Sequence, residues 1–376
     1  MAAKCRAPRV IHNSYWPTGV ACISLRGRVH NISRARLRIT FLKMFACALL
    51  ACLSAPAAAR AQFAQPDGGT VRPGVLPLAW STGGPKCMEM PEWQVHEYNP
   101  DLFILRQSGC TDYEKPFVYL LFGKDRALLY DTGSRKGNLA PTLQHVMQQW
   151  RLRNQRATMP LVVVHSHSHG DHVAGDADIQ ALKDPAMPVT FVAAAVEPTS
   201  ALYGIKHWPE DTGSIDLGDR VIDAIPIPGH DVVSVALYDR QTAILLTGDS
   251  VYPGRIYIRD FDAFVRSTKR LVEFTKDKPV AHILGCHIEE TRTPFLDYPV
   301  GTIYQPNEHE LSLPRGTLLE MQAALDALHG TPARVAYRDF SLWPVGPSFR
   351  LTDKTQSTFD KVQRYQLEHK WDQTKP

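Results

Sequence analysis

The chain has 376 residues, with 42 Lys or Arg against 38 Asp or Glu and a hydrophobic content of 44%, enough for one large globular domain or two ordinary ones. Its net charge of +4 averages two unlike parts. Residues 1–61 hold ten Lys or Arg and no acid, which leaves 32 basic against 38 acidic residues, −6, for 62–376. A mildly acidic remainder argues against nucleic acid as a partner, because that partner calls for a basic face.

The basic block reads as an export signal. "RARLRITFLK" (34–43) is a positive n-region, "MFACALLACLSA" (44–55) is an apolar run, and "PAAARAQ" offers small residues for cleavage after Ala59-Arg60-Ala61. The run falls short of the roughly 20 apolar residues that a spanning helix needs. A lipid anchor at Cys52, which closes "LLAC", is the alternative, and residues 1–33 suggest an over-extended start. The expected location is therefore periplasmic or secreted, with no stable membrane insertion once the signal is removed. An oxidising compartment would permit a Cys87–Cys110 disulfide, while Cys286 reads as a small buried hydrophobe.

Residues 62–90, rich in Pro and Gly, read as a flexible lead-in to a domain over 91–310. Strands follow in quick succession: "WQVHEY", "LFILRQ", "FVYLLFG" and "RALLYDTG", separated by Asn-Pro, Ser-Gly and Gly-Lys-Asp turns. "NLAPTLQHVMQQWRL" predicts a helix capped by Asn138, with Leu139, Leu143, Val146, Met147 and Trp150 on one face. "MPLVVVHSH" is a strand running into "HSHSHGDH" (165–172).

Beyond it, "DADIQALKD" predicts a helix, "VTFVAAA" a strand, and "DRVIDAIPIPGH" a strand ending at His230. "VSVALYD" and "TAILLTGDS" form a hairpin around Asp239-Arg240, "FDAFVRSTKRLVEF" a helix, and "AHILGCH" a strand ending at His287. Residues 311–376 are expected to be a helical and polar C-terminal extension, with one amphipathic helix over 313–328. Alternating strands and helices of this kind predict a layered α/β domain.

Strand ends thus deliver the cluster at 165–172, His230, His287 and, in "LLTGDS", Asp249. Strand ends on one edge of such a domain converge on a crevice, and imidazole with carboxylate is the ligand set that suits zinc. One such residue alone would signify little; four such features at strand termini point to a metal centre.

Here the chain resembles the metallo-β-lactamase fold superfamily, with its H-x-H-x-D-H motif after a strand followed by a distant His, Asp and His. Only His167-Ser168-His169-Gly170-Asp171-His172 fits that spacing. "PGH" at His230, "TGD" at Asp249 and "GCH" at His287 match the later elements, and "LLYDTG" with Asp131 matches an early aspartate that supports the motif loop. "HDVVS" departs from the usual H-T-x-G-S by losing the glycine.

The resemblance implies a four-layer αββα sandwich and two metals: His167, His169 and His230 for one, Asp171, His172 and His287 for the other, with Asp249 bridging. Two zinc ions are expected, with iron or manganese as alternatives. His165 is left outside the ligand set, as a core histidine or as support behind the metals.

Two such metals can lower the pKa of a shared water from 15.7 towards about 7, and Asp171 can orient it and help protonate the leaving group. The implied reaction is hydrolysis of an activated carbonyl in a small molecule, a lactone or ester, with a thioester or β-lactam as alternatives. Members that keep the bridging aspartate are nearer the lactonases and glyoxalase-II-like thioesterases than the true β-lactamases. Tyr252, three residues after Asp249, is a candidate oxyanion donor by the same resemblance, with a packed aromatic as the alternative. "YGIKHW" (203–208) is either an apolar wall at the mouth or a surface loop. An iron-dependent oxidoreductase of the same fold is the reading from another class.

Overall fold

A computed structural model describes residues 70–81, 90–134 and 137–345. The export signal, Cys52, Cys87 and the tail at 351–376 lie outside the described residues. Among those described, no helix is long and apolar enough to cross a membrane.

Two six-stranded sheets carry the fold. The first runs in chain order: β1 (Trp93–Asn99), β2 (Leu102–Gln107), β3 (Phe117–Phe122), β4 (Ala127–Tyr130), β5 (Leu161–Val164) and β6 (Val189–Phe191). The second contains β7 (Gly213–Asp216), β8 (Val221–Pro226), β9 (Val235–Asp239), β10 (Ile244–Leu246), β12 (His282–Leu284) and β13 (Ser312–Leu313), in the order β13-β12-β10-β9-β8-β7. A small third sheet joins β11 (Arg255–Ile258) to β14 (Val335–Ala336) and β15 (Ser341–Pro344).

The period-2 alternation of strand side chains sets the layers. Along β3 and β4, Tyr119, Leu121, Leu128 and Tyr130 enter one core with Leu237, Leu246 and Leu284 of the second sheet. Their neighbours Val118, Leu120, Phe122, Ala127 and Leu129 face the opposite way, onto α1 (Leu139–Arg153) through Leu139, Leu143, Met147 and Trp150. The outer face of the second sheet, with Ala236, Tyr238, Leu245 and Ile283, packs on α5 (Phe261–Phe274) and α6 (Gly316–Ala327). Helix, sheet, sheet, helix is the four-layer αββα sandwich.

Helix α5 matches the expected span, and the Asp260 carboxylate caps it by accepting the Ala263 N–H at 2.9 Å. Asn138 stands at the start of α1 without a side-chain capping bond. The helix expected over 176–184 is shorter, α3 (Asp176–Gln180), and it follows the single-turn α2 (Gly170–Val173). "VTFVAAA" ends as a strand at Phe191, because Ala195 N–H turns back onto the Ala193 carbonyl and leads into α4 (Val196–Tyr203).

Two regions are bound more closely to the fold than their composition suggests. In the lead-in, Val71 is buried in the second-sheet core, Leu76 and Trp80 pack on the inter-sheet core, and Val75 N–H bonds the Tyr98 carbonyl. The flexible reading of 70–81 is corrected: apolar side chains among the prolines hold it. Leu318, Met321, Phe340 and Leu342 likewise share one core with Ile256 and Phe264, so residues 311–345 complete a layer rather than extend from it. Cys110 is disulfide-bonded. Tyr203 and Trp208 of "YGIKHW" pack on the inter-sheet core.

Candidate metal centre

The ends of β4, β5, β8, β10 and β12 gather at one edge of the sandwich. Parallel pairing of β4 with β5 and of β10 with β12 brings their C-terminal ends to the same side. Glycines make two of the close approaches possible. At Gly229 (φ +142°) an added Cβ would lie 2.6 Å from the Phe264 backbone, and at Gly248 (φ +53°) 2.7 Å from Ser166 Cβ. His230 and Asp249 therefore leave their strands on turns that need glycine beside them.

The side chains fall into two groups, His167/His169/His230 and Asp171/His172/Asp249/His287, each with its donor atoms within 4.8 Å of one another. In the first, His169 Nδ1 lies 2.9 Å from His167 Nε2 and 3.0 Å from His230 Nε2. In the second, Asp171 Oδ2 lies 3.1 Å from His172 Nε2 and 3.2 Å from His287 Nε2. Asp249 stands between them. Its Oδ1 is 3.4 Å from His172 Nε2 and 3.3 Å from His287 Nε2, while Oδ2 is 3.8 Å from His167 Nε2 and 3.6 Å from His230 Nε2.

The outer nitrogens of four rings are held from behind. His172 Nδ1 donates to Asp131 Oδ2 at 2.9 Å, His230 Nδ1 to the Tyr257 carbonyl at 2.7 Å, and His287 Nδ1 to the Glu114 carbonyl at 2.9 Å. His167 Nδ1 meets Ser166 Oγ at 2.9 Å, and that hydroxyl in turn donates to Asp131 at 2.8 Å. Such outer bonds fix the tautomer and leave Nε2 as a lone pair facing inward. Asp131 is the hub of this support: it also accepts the Ser166 N–H at 2.6 Å and the Cys286 thiol at 3.3 Å, from a left-handed backbone at φ +72°.

The donor set fits divalent metal. His172 Nε2 and Asp249 Oδ1 are buried without a hydrogen-bond partner, yet they face each other. A lone pair opposite a carboxylate oxygen is repulsive unless a cation or proton lies between them. The protonation tendencies reflect that demand. Burial opposes charge on His172 and His287, but the adjacent carboxylates outweigh it and raise both well above the usual histidine range. Asp249, despite its burial, is held well below the ordinary carboxylate range by His287, His172 and His167. Burial pushes His167, His169 and His230 down, which keeps them as neutral ligands.

A cavity of about 230 Å³ opens over the two groups, with Glu114, Tyr252, Tyr257, Arg259 and Glu289 in its wall. All seven residues anticipated as metal ligands come together here. Tyr252 lines the cavity and sets its ring edge-on to His287 at 5.6 Å, but its hydroxyl donates to the Arg255 carbonyl and lies 3.3 Å from Glu289. His165 stays outside both groups, with Nε2 2.9 Å from Asp176 and Nδ1 3.2 Å from the Val192 carbonyl, a satisfied core histidine. Glu114, Tyr257, Arg259 and Glu289 have no motif of their own. The available signal was the alternation Arg255-Tyr257, which puts two side chains on one face of an unrecognised strand that ends just before Arg259.

Residues 113–287 match the family model of the metallo-beta-lactamase superfamily. Over that segment the chain is similar to this superfamily. Among curated relatives, acyl-coenzyme A thioesterase MBLAC2 of Homo sapiens is 26% identical over 239 residues, 53% of this chain and 83% of the relative. Hydroxyacylglutathione hydrolase of Methylococcus capsulatus is 30% identical over 112 residues, 29% of this chain and 42% of the relative. A solved metallo-beta-lactamase from Pontibacter korlensis covers 62% of this chain and 99% of its own, at 14% identity and a TM-score of 0.41.

Proposed function

We propose that this metallo-hydrolase cleaves an activated acyl carbonyl at a dinuclear zinc centre, with thioesters as the first substrate class and simple esters and lactones within the same chemistry. The observation that carries the reading is the position of Asp249, one carboxylate oxygen turned to each ligand group. His167, His169 and His230 would hold one metal, Asp171, His172 and His287 the other, and Asp249 both. Bound there, the metals supply Lewis acidity and a water made acidic enough to react near neutral pH.

The chain's own residues do the rest. Asp171 keeps 19% of its side chain exposed against 8% for Asp249, so it can reach a water in the cavity, orient it, and pass its proton to the departing thiol or alcohol. Asp131, through His172 and Ser166, holds the ligand rings in register. Thioesters come first because two of the relatives are named for thioester chemistry, an acyl-coenzyme A thioesterase and a hydroxyacylglutathione hydrolase.

The test is hydrolysis by the zinc-loaded chain of a panel containing acyl thioesters, an aryl ester, an acyl-homoserine lactone, a β-lactam and a phosphodiester. Thiol or acid release that a chelator abolishes and zinc restores is the expected result. Phosphodiester cleavage alone, or oxygen uptake that requires iron, would contradict the proposal.

A further inference from the structure

The described arginines near the candidate centre are committed to partners, with one exception. Arg255 is clamped by Glu289 at 2.7 Å, by Asp297 at 2.7 Å and by the Tyr298 carbonyl at 2.6 Å. Arg106 grips Glu308. Arg259 is exposed in the wall of the 230 Å³ cavity, and among the described residues its guanidinium meets no carboxylate or carbonyl. Apart from the imidazoles, it is the only basic side chain among the described residues of that wall, which it shares with Glu114, Asp171, Asp249 and Glu289.

Its backbone is nonetheless rigid. Arg259 N–H and Asp260 N–H both bond the Gly229 carbonyl, at 2.8 and 2.9 Å. The Tyr257 carbonyl takes His230 Nδ1 at 2.7 Å, and the Ile258 carbonyl takes Val345 N–H at 2.8 Å. The stretch 257–260 is thus tied at two places to the segment that presents His230. A guanidinium carried on that stretch has a fixed base beside the His167/His169/His230 group and an unspent fork of donors. Tyr257 lines the same cavity, where its hydroxyl accepts Arg255 Nε at 3.2 Å and keeps its own proton to donate.

We infer that Arg259, assisted by Tyr257, is a specificity-determining residue that binds an anionic group, a carboxylate or phosphate, on the substrate hydrolysed at this centre. The inference rests on the acyl-hydrolase reading above and narrows it to anionic thioesters or esters. A planar guanidinium pairs with either group through two parallel hydrogen bonds, and a lysine at the same place offers only a point charge. The anion could belong to the acyl part or to the thiol part, and the chemistry at Arg259 is the same for both.

The experiment compares wild type, R259A and R259K on four thioesters: acetyl-N-acetylcysteamine, which is neutral, its glutaryl counterpart, which carries the anion on the acyl side, acetyl-coenzyme A, with phosphates on the thiol side, and acetyl-glutathione, with carboxylates there. R259A is expected to lower kcat/KM for at least one anionic thioester by tenfold or more relative to the neutral one, mainly through KM, with R259K recovering part of the loss. The member affected tells which side the anion occupies. A binding readout free of turnover accompanies it: calorimetric titration of the metal-free chain with glutarate, coenzyme A and glutathione, in which R259A weakens the corresponding anion by a similar factor.

Equal losses on neutral and anionic thioesters, or no change in their ratio, would overturn the role of Arg259 while leaving the hydrolase reading intact. If wild type hydrolyses none of the four, this inference falls, and turnover of the aryl ester and the lactone of the panel above decides whether the acyl-hydrolase reading falls with it.

Discussion

The two sheets supply the candidate centre in different ways. The first delivers His167, His169, Asp171 and His172 within six consecutive residues at the end of β5. The second delivers His230, Asp249 and His287 singly, from the ends of β8, β10 and β12. A contiguous motif can be preorganised by local backbone, but three separate strand ends are in register only when the second sheet is packed.

The packing that couples them is specific. Tyr130 and Tyr119 of the first sheet donate to the Val235 and Gly285 carbonyls of the second, at 2.6 and 2.5 Å, and Val235 N–H reaches the Ser166 carbonyl at 2.9 Å. The first half of the site is therefore fixed mainly by spacing and the second by tertiary structure. Asp131, touched by Ser166 and His172 from one side and Cys286 from the other, links the two.

Perturbations at different points of this division separate the contributions. The largest effect is expected from D249A, which removes the one second-sheet carboxylate facing both ligand groups. Bound metal should fall from about two per chain towards one and turnover by more than tenfold; metal analysis showing both ions retained would refute bridging. D131N comes next. An amide cannot accept from Ser166, His172 and Cys286 alike, and loss of such outer support typically costs 10–100-fold in metal affinity. Competition with a chromophoric chelator measures it, and an unchanged affinity would show that the two halves are not coupled through this residue.

Lys115, next to the Glu114 carbonyl that holds His287, probes the seam behind the candidate centre. Its ammonium is buried, donates to the Tyr113 and Thr302 carbonyls at 2.5 and 2.7 Å, and is pushed down to about 8 from 10.5, first by burial and then by Arg106. Between pH 8 and 10.5 the unfolded chain holds this proton more tightly than the folded one. Stability contributed at this site therefore rises as pH rises through that window, by about 3 kcal/mol. Denaturant unfolding of wild type and K115M across pH 7–10.5 should show the slope in wild type only.

Y252F is expected to have the smallest effect. With its hydroxyl bonded to the Arg255 carbonyl, the change should lower kcat less than threefold and stability by about 1 kcal/mol. A tenfold loss of kcat at unchanged KM would instead make that hydroxyl an oxyanion donor.

The same division explains what the sequence made legible. His167 to His172 could be read from spacing, and β2, β3 and α1 from periodicity, because the information is local. Strand β11 was missed because "RIYI" is four residues long, directly after Pro253-Gly254, and its partner β15 lies more than 80 residues away. Helix α4 was missed because Pro198 and a short apolar face give little helical period. Arg259 and Glu114 gain meaning only through the tertiary contacts that place them in the cavity wall. The charge balance of the ligand cluster, with His172 and His287 pushed up and His167 pushed down, likewise depends on which carboxylates the fold brings near each ring.

The most direct measurement is anomalous diffraction at the zinc edge from crystals of the zinc-loaded chain. Two peaks roughly 3.5–4 Å apart are expected, one beside His167, His169 and His230, the other beside Asp171, His172 and His287, with Asp249 between them. A single peak, or metal bound elsewhere, would contradict the dinuclear centre on which the proposed hydrolysis depends.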